Sequence, residues 1–329
     1  MILAGDIGGT KVNLASFEVR DGKLQQVAFE KFPSKEFSNL ESITRKFLDG
    51  KNLELQGASF GVAGAIKNGV ANLTNLKWMV DSKNLAKELR VPQVGLLNDL
   101  EANAYGVSVL DEKDFVSLNP SAKDAVGNAA VIAAGTGLGE AGMLWDGKRH
   151  HPFACEGGHS DFAPRTDLDI ALLQHLRVKF GGRVSWERVL SGVGSVNIYE
   201  FLRDTKRYEE PAWLTAELAK SDNKAATITT AGLEKKCELC VKALDIFVTY
   251  YGEEASNLAL KIMSLGGVYI GGGIAPKIIS KLADGQFMKA FLDVGRMKWL
   301  VEAMPVKVIL NDKTALLGAA EHARLSLRS

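Results

Sequence analysis

The chain has 329 residues, 46% hydrophobic and 24% charged, which are ordinary globular proportions with enough apolar side chains for two hydrophobic cores. Lys and Arg number 40 against 39 Asp and Glu, so no broad basic surface is expected for nucleic acid or an anionic membrane, and the expected partners are small molecules. Three cysteines, a strand-like start and no apolar run near the roughly 20 residues of a membrane helix predict a cytoplasmic protein without disulfides.

The N-terminal third of the chain alternates between predicted strands and helices. Short apolar runs bounded by turn residues predict strands at 2–4, 12–17, 58–62 and 94–97. Amphipathic patterns predict helices at 40–48, 83–89 and 101–107. Ser82 is a candidate N-cap, and the fourth strand ends at Asn98-Asp99. The alternation predicts the α/β class, in which binding sites lie at strand ends.

A second start of the same plan appears near residue 129. Residues 129–149 repeat the order found at 2–24, namely strand, glycine-rich turn, strand, Asp-Gly turn and strand. The later predicted elements are helices at 229–264 and 314–327 and a buried strand at 268–270 that precedes three glycines. The pattern therefore predicts one sheet plan used twice.

The first glycine turn is a candidate phosphate-binding turn. It packs three glycines, an acid and a hydroxyl into six residues, which are Gly5, Asp6, Ile7, Gly8, Gly9 and Thr10. Backbone N–H groups can approach phosphate oxygens there, while Asp6 can hold hydrated Mg2+. The alternative is a tight hairpin that needs positive φ. A second such turn at Gly135-Thr136-Gly137 favours the first interpretation, since two turns could hold one triphosphate.

Two rival motifs overlap the second turn. Gly137, Gly139 and Gly142 fit the dinucleotide pattern GxGxxG, with Glu156 about 20 residues further on. That pattern requires a helix after the turn, whereas Met143-Leu144-Trp145 predicts a strand, so an NAD enzyme is disfavoured. A near match to a phosphate-binding P-loop from 142 to 148 lacks the Ser/Thr that would hold Mg2+ and is rejected.

Asn98-Asp99 and three other segments form a candidate sugar-binding set. A carboxylate at a strand end can accept a hydroxyl proton during phosphoryl transfer, although Asp99 could also simply cap the next helix. Sugar hydroxyls are both donors and acceptors, and are best met by acids, amides and histidine. The candidates are Asn75, Asn98, Glu156, His159 and Glu187. Taken one by one, they could equally be a turn residue, surface acids and a core histidine.

Two further patterns favour structural roles. Cys237 and Cys240 form one CxxC within a predicted helix and lack a second pair at zinc spacing, so they predict helix packing. The polar stretch at 221–224 predicts a surface loop.

Six blocks taken together resemble the bacterial glucokinase family. They are GDIGGT (5–10), LLNDLEA (96–102), AAGTGLG (133–139), EGGHSDFAP (156–164), SWERVLSG (185–192) and GGVYIGGGIAPK (266–277). The last block and residues 315–320 resemble segments of the hexokinase, Hsp70 and actin superfamily. The resemblance implies two RNase H-like, actin-like ATPase domains around a hinged cleft, one at 1–108 with 312–329 and one at 109–311.

The resemblance also implies the reaction and the roles of residues. It implies ATP-dependent phosphorylation of D-glucose at O6, with ATP and Mg2+, and a homodimer. Asp99 matches the catalytic base, and the glucose groups are Asn98, Glu156, His159 and Glu187, with Asn75 as an addition. Phosphate contacts are implied for residues 5–10 and 135–137, and adenosine contacts for Gly272, Gly273 and Ile274. Cys155 departs from the glycine common in relatives. The related ROK kinases carry a cysteine-rich zinc motif that this sequence lacks, so no structural zinc is expected.

The alternatives left open are a kinase for mannose, fructose or an amino sugar, and a sugar-responsive ATP-binding regulator. A regulator would need a DNA-reading helix pair before the first turn, where Asp6 leaves no room for one. A chaperone-like ATPase would need a peptide-binding domain after Gly318, where few residues remain.

Overall fold

This computed structural model describes residues 1–73, 76–120, 122 and 126–327. Two compact units account for the chain. The first comprises residues 1–114, 150–154 and 311–329, and the second comprises 115–149 and 155–310. The domain boundaries 1–108 with 312–329 and 109–311 stay a prediction.

The elements alternate as the α/β class requires. In the described residues the strands are β1 (Ile2–Ile7), β2 (Lys11–Arg20), β3 (Lys23–Pro33), β4 (Gly57–Val62), β5 (Ile66–Lys67), β6 (Val70–Leu73), β7 (Trp78–Asp81), β8 (Val94–Asn98), β9 (Phe115–Ser117), β10 (Ala129–Ala134), β11 (Leu138–Trp145), β12 (His150–Cys155), β13 (Gly267–Gly271) and β14 (Val306–Ile309). The α-helices are α1 (Leu40–Leu48), α2 (Ser82–Leu89), α3 (Asp99–Val107), α4 (Asp167–Phe180), α5 (Gly192–Asp204), α6 (Ala212–Lys220), α7 (Lys224–Leu233), α8 (Glu238–Ile262), α9 (Ile279–Leu282), α10 (Gln286–Phe291), α11 (Lys298–Glu302) and α12 (Thr314–Ser326).

The main sheet of the first unit aligns two predicted site segments. Its strand order is β3-β2-β1-β4-β8, and β1, β4 and β8 run parallel. Ile7 pairs with Val62, and Val62 pairs with Asn98. The glycine turn and the Asn98-Asp99 pair, at the ends of β1 and β8, therefore lie at the same carboxyl edge of the sheet, where α/β proteins bind ligands.

Helix starts in the first unit correct two sequence predictions. Helix α2 begins at Ser82, and its N-cap is Asp81, whose side chain accepts hydrogen bonds from the N–H groups of Lys83 and Asn84. Ser82 as the N-cap is therefore wrong. Helix α3 begins at Asp99 and is capped by Asn98. The interpretation of Asp99 as the cap is also wrong, because Asn98 has the extended backbone that an N-cap needs.

The second unit repeats the strand plan of the first. Strand β10 pairs antiparallel with β11 and parallel with β13, as β1 pairs with β2 and β4. Five of its strands run in the order β11-β10-β13-β14-β9. Strand β11 follows the second glycine turn, as predicted, whereas the disfavoured dinucleotide motif needs a helix there.

The long helix predicted at 229–264 is two helices. Helix α7 ends at Leu233 and α8 begins at Glu238. Cys237 is the N-cap of α8, and its Sγ accepts from the N–H of Cys240 at 3.4 Å. The CxxC pair thus spans a helix start, and its placement within a helix is wrong.

Each unit has its own hydrophobic core. Strands β10, β13 and β14 and helices α5, α7 and α8 contribute to one core, which includes Trp186, Tyr250 and Tyr251. Trp78 belongs to a core of the first unit. Across the described ranges, no helix combines the length and apolarity needed to cross a bilayer.

Candidate active site

The first glycine turn is braced by side chains that the sequence analysis did not select. Asn13 donates from Nδ2 to Oδ2 of Asp6 at 3.0 Å. The N–H of Gly8 donates to the carbonyl of Lys11 at 3.0 Å. Ser34, fully buried, donates its hydroxyl to the Gly8 carbonyl at 2.8 Å and its N–H to the Thr10 carbonyl at 3.0 Å. These hydrogen bonds within the protein hold the turn in one shape, as preorganised binding requires.

Asp6 suits a hydrated metal ion. Burial raises the pKa of its carboxyl, while the Asn13 amide and the Lys11 charge oppose that shift. No group of three or more His, Cys, Asp or Glu side chains with metal-binding geometry occurs among the residues described. A lone carboxylate fits Mg2+, which keeps most of its waters and binds mainly through substrate phosphates.

Asp99 lies at the first turn of α3, at the carboxyl edge of the sheet. Asn98 Oδ1 accepts from the N–H of Leu100 at 2.9 Å, and Asp99 Oδ1 accepts from the same N–H at 3.0 Å. Asn98 Nδ2 donates to the Gly64 carbonyl at 3.4 Å. The Asp99 carboxylate therefore stands at the start of α3, beside the residue that caps this helix.

The second glycine turn lies beside the loop after β13. The N–H of Gly135 donates to the Gly137 carbonyl at 2.8 Å. Gly272 has φ +83°, and a Cβ there would lie 2.3 Å from the Ala134 carbonyl oxygen, so only glycine fits. The N–H of Ile274 donates to the same carbonyl at 3.3 Å. The predicted phosphate and adenosine segments of this unit are therefore adjacent.

The buried Tyr251 side chain links the end of β10 to the end of β13. Its hydroxyl accepts from the N–H of Ala134 at 3.1 Å and donates to the Gly271 carbonyl at 3.1 Å. The ring is fully buried. No local sequence pattern marks this role, because Tyr251 and Ala134 are more than a hundred positions apart in the chain.

A cavity of about 830 Å3 opens next to the second turn. Predicted nucleotide residues line one part of it, namely Gly135, Thr136, Gly273 and Ile274. Further lining comes from the start of α5, from α7 with the loop before it, from α8 and from residues 277–278, and includes Gly192, Ser195, Asp222, Asn223, Lys224 and Thr229. Its volume suits a ligand the size of a nucleotide.

The lining residues 222–224 were predicted only as a surface loop. Asn223 Oδ1 accepts from the N–H of Ala226 at 3.1 Å and caps α7. An Asn before a helical pattern is a cap signal that sequence can supply. The position of Asn223 against the cavity depends on how α7 packs. Local sequence patterns do not predict that packing.

Glu187 connects the second glycine turn with the predicted sugar-binding loop. Its Oε2 accepts from the N–H of Leu138 at 3.1 Å, and a Cβ at Gly137 would lie 2.4 Å from the same oxygen. The N–H of Trp186 donates to the Ser160 carbonyl at 2.9 Å. Glu187 is therefore placed by both segments and is not the free surface acid of the alternative interpretation.

Glu156 precedes a short 3-10 turn at Gly157–His159, and His159 is its last residue. Oε2 of Glu156 lies 3.8 Å from Nε2 of His159, and both side chains are exposed, at 66% and 59%. His159 is thus not a core histidine. A Cβ at Gly158 would lie 2.1 Å from the Leu138 carbonyl oxygen, which brings this loop against the second glycine turn.

The structure therefore groups the predicted residues within each unit. The first unit brings residues 5–10 to the same sheet edge as Asn98 and Asp99. The second unit brings together Glu156, His159 and Glu187 with the turn at 135–137. Asn75 lies outside the described residues.

Comparison with solved structures gives the class of protein. The structure of a glucokinase from an Antarctic psychrotroph matches with a TM-score of 0.86 at 32% identity, covering 98% of both chains. A ROK family glucokinase from Streptomyces griseus, solved with glucose and AMPPNP, matches with a TM-score of 0.63 at 20% identity, covering 98% of this chain and 99% of that one. The fold is the two-domain, actin-like ATPase fold of sugar kinases, as the sequence analysis predicted.

Comparison of sequences identifies the family. A family model described as Glucokinase matches residues 3–326. The glucokinase of Nostoc punctiforme is 40% identical, covering 97% of this chain and 98% of that protein. The chain belongs to the glucokinase family and is a phosphotransferase.

Proposed function

We infer that the protein phosphorylates glucose with ATP, and we propose that Asp99 is its general base. In this reaction the O6 hydroxyl gives its proton to the Asp99 carboxylate while O6 attacks the γ-phosphorus. The bond from the γ-phosphorus to the bridging oxygen breaks, so that glucose 6-phosphate and ADP form. The observation that carries this assignment is the shared sheet edge of Asp99 and the glycine turn after β1.

We propose that Asn98, Asn75, Glu156, His159 and Glu187 bind the sugar hydroxyls. Glu156 and His159 support this role because both are exposed on one short loop. Glu187 supports it because the 3.1 Å bond from Leu138 to its Oε2 holds the carboxylate in a fixed direction. Carboxylates and imidazole can orient a ring hydroxyl as both donor and acceptor.

We propose that ATP uses the cavity of the second unit. Thr136 and Ile274 line it, which supports adenosine binding by Gly272, Gly273 and Ile274 and phosphate binding by residues 135–137. Residues 5–10 are the other proposed phosphate contact. Asp6 would hold Mg2+ through water, and the ion would neutralise charge on the transferred phosphoryl group.

Asp99→Asn tests the base. The amide keeps the size of the carboxylate but cannot accept the proton, so we expect kcat to fall about 10²- to 10⁴-fold. We expect the glucose dissociation constant, measured by calorimetry, to stay within about threefold, because Asn can still hydrogen-bond the hydroxyl. Coupled detection of ADP gives kcat.

Glu101→Gln is the matched control, since Glu101 is a partly buried acid on the same helix. We expect this variant to keep the wild-type kcat. Near-normal turnover in Asp99→Asn would refute the assignment of the base. The same assay with mannose, fructose and glucosamine tests the choice of glucose, for which we expect the highest kcat/KM.

We also propose that the protein is a cytoplasmic homodimer. The family resemblance supports the dimer, and the three free cysteines support a reducing compartment.

A further inference from the structure

Two glutamates are buried side by side beneath the proposed sugar-binding loop. Glu140 on β11 and Glu254 on α8 are 1% and 0% exposed, and their carboxyl groups are within hydrogen-bonding distance of each other. Oε1 of each receives no hydrogen bond from any group in the described part of the chain. Two buried carboxylates cannot both be charged at this separation without a large cost, and one shared proton removes the repulsion.

The surroundings of the two carboxyl groups differ. Glu254 Oε2 accepts from Asn257 Nδ2 at 2.8 Å, and Lys261 Nζ lies 3.9 Å from Oε1 of Glu254. Both contacts favour a charged Glu254. Burial, together with the neighbouring Glu254, raises the pKa of Glu140 to about 8. The proton therefore belongs on Glu140 at neutral pH.

Glu140 touches the sugar-binding loop directly. A Cβ at Gly157 would lie 1.7 Å from Oε2 of Glu140. The three atoms nearest to that Cβ all belong to the Glu140 carboxyl group. The φ of Gly157 is not in the left-handed region, so the need for glycine here is steric. Gly157 lies between Glu156 and His159, so the Glu140 carboxyl packs against the backbone that carries both proposed sugar ligands.

We propose that Glu140 and Glu254 form a proton-sharing pair that positions the loop carrying Glu156 and His159. The pair is a positioning device and does not contact sugar. This role rests on the proposed function of that loop. When Glu140 loses its proton, the two carboxylates repel each other and push on Gly157, so glucose binding weakens while ATP binding does not.

Other titratable and charged groups lie near the pair, and their effect on glucose binding must be distinguished from the effect of the pair. Lys261 and Arg165 act on Glu254, and Cys155 and Glu156 lie on the loop side of the pair. Burial raises the pKa of the Cys155 thiol. A difference between wild type and a Glu140 variant isolates the carboxyl group, since these neighbours are common to both.

The test compares KM for glucose and for ATP at about pH 7 and about pH 9 in wild type, Glu140→Gln and Glu254→Gln. For wild type we expect the glucose KM to rise about fivefold or more with an unchanged ATP KM. Either glutamine removes one ionisable member of the pair and keeps its shape, so we expect a glucose KM that changes less than about twofold across the range. The second variant keeps the test decisive if the first fails to fold.

Glu253→Gln is the matched control. Glu253 comes directly before Glu254 on α8, is also buried, and has its Oε1 3.9 Å from Nη1 of Arg165. We expect it to keep the alkaline rise in glucose KM. The pair is refuted if both glutamine variants retain the rise, or if wild type shows none. Calorimetry of His159→Ala separates the two proposals: unchanged glucose affinity there would overturn the sugar site itself, whatever the behaviour of Glu140.

Discussion

Single buried polar groups hold the glycine turns of this enzyme in shape. Ser34 bonds to both Gly8 and Thr10, and Tyr251 bonds to both Ala134 and Gly271. Buried backbone groups without a partner are costly, so each hydroxyl stabilises the turn that it reaches. Glycines permit the turns, and these hydroxyls select one conformation of them.

Tyr251→Phe should weaken ATP binding. The change leaves the Ala134 N–H without its partner beneath the second turn, which costs about 1–3 kcal/mol of unfolding free energy. We expect a higher KM for ATP and an unchanged KM for glucose, measured with a coupled ADP assay and thermal unfolding.

Tyr250→Phe is the control for this prediction. Tyr250 is similarly buried and donates to Oδ1 of Asp169 at 2.7 Å, and neither residue lines the proposed ATP cavity. It should lose a similar amount of stability with no change in either KM. Equal ATP KM values in the two variants would contradict a bracing role for Tyr251.

At the scale of elements, the contact between α3 and α12 positions the carboxylate of the proposed base. A Cβ at Gly318 would lie 1.8 Å from the Ala102 carbonyl oxygen, and a Cβ at Gly106 would lie 2.2 Å from the Thr314 carbonyl oxygen. The two helix backbones therefore touch. Because α3 begins at Asp99, this contact sets the position of the proposed base.

Gly318→Ala should lower both stability and turnover. The added methyl group must push α3 away from α12, and overpacking of this kind costs about 1–3 kcal/mol. We expect a lower melting temperature and a reduced kcat, since Asp99 moves with its helix. Ala315→Ser, a partly exposed position on the same helix, should change neither. A wild-type kcat in a folded Gly318→Ala protein would show that this contact does not position the base.

At the scale of the whole molecule, buried acids make stability depend on pH. Burial raises the pKa of Asp6, Glu101, Glu140, Glu253 and Glu254. An acid whose pKa is raised on folding stabilises the folded state at low pH, and that stability is lost as pH rises from the unfolded to the folded pKa. For Glu140 this window extends from 4.5 to about 8.

Glu140→Gln should therefore gain melting temperature relative to wild type as pH rises from about 5 to about 8. Within that window wild type loses up to about 1.4 kcal/mol per pH unit through this one group, whereas glutamine does not ionise. Calorimetric unfolding of both proteins at several pH values gives the difference. A difference that stays constant across the window would show that Glu140 ionises normally in the folded protein.

Local patterns predicted much of the fold. The helix expected at 40–48 is α1, and the strand plan repeated from 129 is β10 to β12, because periodicity and turn residues act between near neighbours in the chain. The local pattern failed at 229–264, where a continuous helical repeat of apolar residues predicted one helix and the structure has two. The break between α7 and α8 falls at Glu234–Cys237 without a proline, and only the capping geometry of Cys237 marks it.

The sequence by itself determined the family, the duplicated sheet plan and the candidate residues, because glycine turns, strand ends and polar motifs are written in short segments. Tertiary structure alone decided which groups brace those segments. Tyr251, Glu140 and the cavity lining at 222–224 reach partners far away in the chain. Such partners depend on packing between elements, and no short window of sequence encodes that packing.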